Sequence, residues 1–320
     1  MRFSALLVAL VAILISPAAQ AQQYPDRPVR LIEPIEAGGS HDPLIFMVGD
    51  GIQADFGQPG VVDFRPGGGG IIGVDFVAKS KPDGYTLLIG NSGPIAILPS
   101  LKKLPYDAEN DFIPVAPMAS YPFALIVNPK LGFKNVADLV EFAKKNPGRL
   151  KFATNGVGQA THLLTELLKI QTGIDITIVP YKGTPMAIND VISGNVDAMF
   201  PNAPAAIPLM GESKFQVLAI TSLKRSPAAP DVPTMIESGF PDFEGVSWIG
   251  VFAPAKTPAP IVSKLEAVVT KVMQSPAALS TLKQINSGPM TGSGKEFGAF
   301  LVKERAKWSD VIKKANITIE

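Results

Sequence analysis

A chain of 320 residues, 46% of them apolar, is long enough for one large or two medium cores, and its lack of cysteine excludes disulfides and thiolate chemistry. With 29 basic against 28 acidic residues and no basic run, it carries no electrostatic footprint for nucleic acid. His41 and His162 are the only histidines, which excludes a multi-histidine metal site, and no EF-type calcium loop is present.

The chain opens like a secretion signal. Met1 and Arg2 precede an apolar run over residues 5–15, and Ala19-Gln20-Ala21 fits the small-x-small cleavage rule. That run is well short of the ~20 residues a membrane span requires. Cleavage after residue 21 removes Arg2 and no acid, leaving 28 charges of each sign on an exported, soluble protein. No cofactor is expected.

Beyond the leader, strand-like and helix-like runs alternate. Strands are expected at 29–32, 61–64, 86–89, 124–127, 150–153, 176–179, 198–200, 216–220 and 249–252. Helices are expected after Asp42, over 71–78, over 135–145, through Leu163 to Ile170, from Thr184 towards Gly194, and over 260–273. A last one carries Phe297, Phe300, Leu301, Trp308, Val311 and Ile312, which gives Trp308 a core position. Trp248 opens a strand where a crossover between lobes would fall. This alternation predicts an α/β fold with largely parallel sheets.

The segment 29–42, VRLIEPIEAGGSHD, is the most informative in the chain. A β-type run stops at Pro34, two glycines follow, and Ser40, Asp42 and Pro43 suit the start of a helix. Such a loop can aim free amides and a helix dipole at a small anion. A tight turn in which Asp42 merely caps the helix is equally open. The spacing matches neither GxGxxG nor GxxxxGK[ST]. Strand–loop–helix units recur at Gly90 to Gly93, at 154–162 and at 181–185. The glycines at 67–70 read as a helix entry rather than a phosphate cradle. In open α/β sheets ligands sit outside the carboxyl ends of strands, where these loops lie. Their spread along the chain points to two lobes closing on one cleft, with a single wide sheet as the alternative. No GxSxG elbow, HExxH or cysteine nucleophile occurs, so a hydrolase would have to rest on a Ser92–His162 or Ser40–His41 pair that no spacing favours.

Laid side by side, segments across the mature chain carry a resemblance. They include 24–30 (YPDRPVR), 34–42, 56–59 (FGQP), 65–70, 81–88 (KPDGYTLL) and 104–107 (LPYD). In the second half, 155–162, 179–183 (VPYKG), 224–227, 231–234, 248–254 and 306–308 continue it in order. The chain thereby resembles the Bug family, the exported solute-binding receptors of tripartite tricarboxylate transporters.

The resemblance implies a type II periplasmic-binding-protein fold, a two-lobed Venus flytrap with two interlobe crossovers. Residues 22–123 plus 250–320 would form lobe 1 and residues 124–249 lobe 2. It implies a periplasmic monomer that holds a small carboxylate through backbone amides, hydroxyls and water, and that presents the closed form to membrane permease subunits. A sensor kinase would be served equally well by that form. By position, the lobe 1 contacts fall on Ile35, Glu36, Ala37, Gly38, Gly39, Ser40, His41 and Asp42, and on Asn91, Ser92 and Gly93. The lobe 2 contacts fall on Thr154, Asn155, Gly158, Gln159, Ala160, Thr161 and His162, on Tyr181, Lys182, Gly183 and Thr184, and on Asn202. The amides of Gly38, Gly39, Gly93 and Gly158 are expected to carry much of the anion binding. Ile35, Glu36, His41 and Pro201 depart from the family pattern. Glu36 in particular favours a ligand that carries an amine or an aromatic ring over a citrate-like polyanion.

Overall fold

The computed structural model describes residues 24–39, 41–181, 183–212 and 214–318. The expected signal segment, Ser40 and Lys182 lie outside the described residues. Strands β1 (Val29–Glu33), β2 (Gly60–Phe64), β3 (Thr86–Asn91), β4 (Phe112–Pro122), β10 (Val246–Pro254) and β11 (Gly288–Pro289) form one sheet, ordered β11-β4-β10-β3-β1-β2. A second sheet contains β5 (Ala124–Val127), β6 (Lys151–Thr154), β7 (Thr177–Pro180), β8 (Ala198–Met199) and β9 (Gln216–Ile220), ordered β7-β6-β8-β5-β9.

Both sheets are mixed, which corrects the expectation of largely parallel ones. β1 pairs in parallel with β2 and β3, and β6 with β7 and β8, as helical crossovers require. β10 runs antiparallel to β3 and β4, and β5 runs antiparallel to β8 and β9. The antiparallel strands are the ones that carry the chain between sheets. β4 continues through Phe123 directly into β5, and the chain returns after β9 to enter β10. Ser247 pairs with Tyr121 in the first sheet, so residues 246–249 belong to that sheet although the sequence division assigns them to the middle segment.

β4 was not expected, because Pro114, Pro117 and Pro122 interrupt its pattern. Its pairing with β10 shifts register between Ile249 and Gly250 and between Val251 and Phe252, where Pro117 and Pro114 take up the partners. The missing proline donors are thus absorbed at bulges.

Helices cover the sheets: α1 (Asp42–Phe56), α2 (Ile71–Ala78), α3 (Val136–Lys145), α4 (Ala160–Thr172), α5 (Thr184–Ser193), α6 (Ala203–Ala206), α7 (Ala259–Met273), α8 (Pro276–Gln284) and α9 (Gly294–Lys314). α1 lies so close to β2 that a Cβ on Gly49 would stand 2.7 Å from the Gly60 carbonyl oxygen. That contact fixes the helix whose first turn borders the glycine loop. α9 packs Phe297 against Trp248 edge-on, with ring centroids 5.4 Å apart, and Trp308 is buried as its spacing predicts. Among the described residues no helix is long and apolar enough to cross a membrane.

Candidate functional site

The carboxyl ends of β1, β3 and β6 and the two crossover strands enclose one cavity of about 300 Å³. From the first sheet, Ile35, Gly39, His41 and Asp42 reach it, together with Asn91, Ser92 and Gly93. From the second come Asn155, Gly158, Gln159, Ala160, Thr161, Thr184 and Asn202. Loops separated by more than a hundred residues therefore converge, and Gly39 and Gly158 face the same space.

Other expected residues lie outside the lining. Glu36, Ala37 and Gly38 are exposed, so the carboxyl of Glu36 does not meet the cavity. Thr154 is fully buried at the end of β6. Tyr181 donates its hydroxyl to Asp190 Oδ2 at 2.6 Å, and Gly183 precedes α5 as its N-cap. His162 is buried behind the second loop, where Nδ1 accepts the Gly158 amide at 2.9 Å and Nε2 stands 3.7 Å from Glu166 Oε1.

Several roles differ from the expectation. Asp42 does not cap α1: its Oδ2 accepts the Gly38 amide at 2.7 Å, while His41 occupies the N-cap position without a side-chain cap. The short carboxyl side chain reaches back across the two glycines and closes the loop on itself. Thr161 closes the second loop in the same way, accepting the Asn155 amide at 2.9 Å and bonding the Asn155 side chain. The Gly93 amide donates to Asn91 Oδ1 at 3.2 Å. Three of the four amides assigned to anion binding, those of Gly38, Gly93 and Gly158, are therefore engaged within their own loops. Ser92 shares a hydrogen bond of 2.9 Å with Ser247, so neither Ser92 nor His162 is paired as a nucleophile and base would be.

The floor of the cavity escaped sequence reasoning. Tyr121, Phe123, Ser247 and Ile249 line it from the crossover strands, and Glu33 lines it from the end of β1. Burial raises the Tyr121 phenol above its ordinary value, against the opposing influence of the Ser247 hydroxyl. The His41 ring stacks on Tyr121 with centroids 4.6 Å apart. Burial pushes the His41 imidazole down to about 4, which keeps it neutral at neutral pH. Burial, aided by the Asp42 charge, pushes Glu33 up to about 8 against the opposing hydrogen bond from Ile35. A carboxyl directly after the buried pair Leu31-Ile32 was the available signal for Glu33. Tyr121 and Ser247 had none, because their strand ends carry no loop motif. Gly69, on the turn before α2, also reaches the cavity.

No lysine or arginine stands among the described lining residues. The positive field comes instead from helix starts: α4 begins at the cavity with Ala160 and Thr161, and its N-cap Gln159 makes no side-chain cap. The cavity can thus hold a small polar solute between two layers.

Comparison with known proteins agrees with this geometry. The model of the tripartite tricarboxylate transporter family receptor matches residues 45–317. Protein BugT of Bordetella pertussis is 35% identical over 321 residues, covering 98% of each chain. Among solved structures, R. palustris Rpa4515 with adipate is 36% identical with a TM-score of 0.78, covering 92% of this chain and 99% of that one. MatC from Rhodopseudomonas palustris with bound malate is 29% identical with a TM-score of 0.75, covering 90% and 100%.

Proposed function

The chain belongs to the tripartite tricarboxylate transporter receptor family, and from that premise we propose that it captures one small carboxylate by closing two lobes around it. The observation that carries this reading is the shared cavity, walled by loops of both sheets and floored by the strands that join them. A ligand touching both walls stabilises the closed arrangement through contacts that the open one lacks. Relatives bound to adipate and malate support a carboxylate, and at about 300 Å³ the cavity suits a molecule of that size.

In this reading residues 22–123 with 246–320 move as one body and 124–245 as the other, since β10 pairs with β4 from Val246 onward. Asn155, Gln159, Thr184 and the first turn of α4 hold the carboxylate from the second lobe, and Ser92 and Ser247 supply hydroxyls from the floor. The leader 1–21 directs export and is removed, the protein works in the periplasm as a monomer, and the closed form is recognised by membrane permease subunits. Its role is capture, not catalysis.

A thermal-shift screen over mono-, di- and aromatic carboxylates tests it. A ligand bound only by the native state raises the melting temperature, by RT ln(1 + [L]/Kd) in free energy. Absence of any shift across the series overturns the reading.

A further inference from the structure

The two walls of the cavity differ in hydrogen-bonding character. On the first, Glu33 is 2% exposed and Asp42 is 7% exposed. Asp42 Oδ1 is buried with no hydrogen-bond partner among the described residues, while Oδ2 is committed to Gly38. The neighbouring amides of Gly38 and Gly93 are already engaged. His41 and Tyr121, the other titratable groups against this wall, are neutral near pH 7, and no described lining residue brings a cationic side chain. This wall offers a buried carboxylate oxygen of Asp42 that lacks a donor, beside Glu33, and no described cationic side chain stands against it. The opposite wall presents the start of α4, with Asn155, Gln159 and Thr184, and suits an anion.

We propose that the ligand is an amino-bearing carboxylic acid, its ammonium group against Glu33 and Asp42 and its carboxylate at the start of α4. The inference rests on carboxylate capture and adds the second charge. An ammonium gives the free Asp42 oxygen a donor, and charge-assisted hydrogen bonds of this kind are the strong ones. A second carboxylate in the same place would stand against the Asp42 charge with no cation to offset it.

The two ligand types move the proton on Glu33 in opposite directions. In the free protein Glu33, with its pKa near 8, is mostly protonated at about pH 7. An ammonium beside it lowers that pKa, so binding expels a proton, and the release fades at about pH 9, where the group is already ionised. A carboxylate beside it raises the pKa, so binding takes up a proton at about pH 8 to 9.

Titration calorimetry on the mature protein, in buffers of different ionisation enthalpy, reads both affinity and proton number. The probes are matched pairs: succinate with aspartate, glutarate with glutamate, benzoate with 4-(aminomethyl)benzoate. In at least one pair the amino member is expected to bind about tenfold more tightly or better, with proton release at about pH 7. Glu33→Gln is expected to weaken that ligand about tenfold and abolish the release. Plain acids that bind as tightly as their amino partners, proton uptake, or an unchanged amino-acid affinity in Glu33→Gln overturns the inference and leaves carboxylate capture standing. Binding by none of the six overturns both.

Discussion

Glu33 is buried in its protonated form, and this makes the stability of the protein depend on pH in an unusual direction for a carboxyl. Its pKa rises from 4.5 to about 8 on folding, so between those values the folded state holds a proton that the unfolded chain has lost. Stability attributable to Glu33 therefore falls as pH rises through that window, by an amount on the order of a few kcal/mol. His41 acts the other way. Its pKa falls from 6.5 to about 4, so its contribution is lost as pH drops through that range. Melting temperature measured against pH should show the Glu33→Gln variant gaining on the wild type from about pH 4.5 to about pH 8 and then running parallel to it. A constant offset across that range would show that folding does not raise the Glu33 pKa. The same residue marks a boundary of what sequence can tell. Ser92 and Asn155 directly follow strands and Thr161 opens α4, so their place near strand ends follows from local pattern. Glu33 sits inside the strand itself, and its direction depends on which layer covers it. Glu36, three residues on, looked the more relevant charge but points outward.

At the scale of elements, the glycine loop and α1 act as one unit. The Asp42 side chain ties the loop, since its Oδ2 takes the Gly38 amide, and α1 is seated by the backbone contact between Gly49 and Gly60. Asp42→Ala should free the loop, giving faster hydrogen exchange at Gly38 and ligand binding weaker by about tenfold, whereas Asp42→Asn keeps an acceptor and should protect Gly38 nearly as well. Equal exchange in the two variants would mean that the loop holds its shape without the side chain. Gly49→Ala puts a methyl 2.7 Å from the Gly60 carbonyl oxygen, so the helix must shift or the strand must yield. A cost of about 1–3 kcal/mol is expected, read as a lower melting temperature. Most elements could be found from periodicity, because each strand that follows a turn and precedes an amphipathic run has a local signature. β4 could not, since its prolines are tolerated only through bulges formed with β10, a partner more than a hundred residues away. With β4 hidden, Tyr121 and the floor of the cavity were hidden too.

For the whole molecule, the decisive place is where the chain crosses between sheets. Thr221 is fully buried there and ties both crossings together. Its Oγ1 accepts the Phe123 amide at 2.8 Å, and its hydroxyl also contacts the carbonyls of Phe123 and Gly245. The Thr221 amide donates to the Phe123 carbonyl at 2.9 Å, and the Gly245 amide returns to the Thr221 carbonyl at 3.1 Å. The residues that line the floor of the cavity, Tyr121, Phe123 and Ser247, lie within a few positions of this junction on both strands. In the proposed closure, a rotation of one layer against the other would strain the hydrogen bonds of Thr221, and a ligand resting on the floor would report on the same junction. Thr221→Val keeps the shape but leaves the Phe123 amide without its side-chain acceptor. Removing one partner of a buried hydrogen bond costs about 1–3 kcal/mol, and that loss should appear as reduced thermal stability. It should also appear in the response to ligand. In solution scattering, the wild type is expected to contract when a saturating carboxylate is added, because closure brings the two layers together. In Thr221→Val the free protein should scatter as a broader population, and the binding constant should change while the contacts in the cavity stay the same, since affinity depends on the fraction of molecules in the competent arrangement. If scattering is identical with and without ligand in both proteins, the lobes do not move on binding. The junction would then be a rigid joint, and the cavity would fill and empty by loop motion alone.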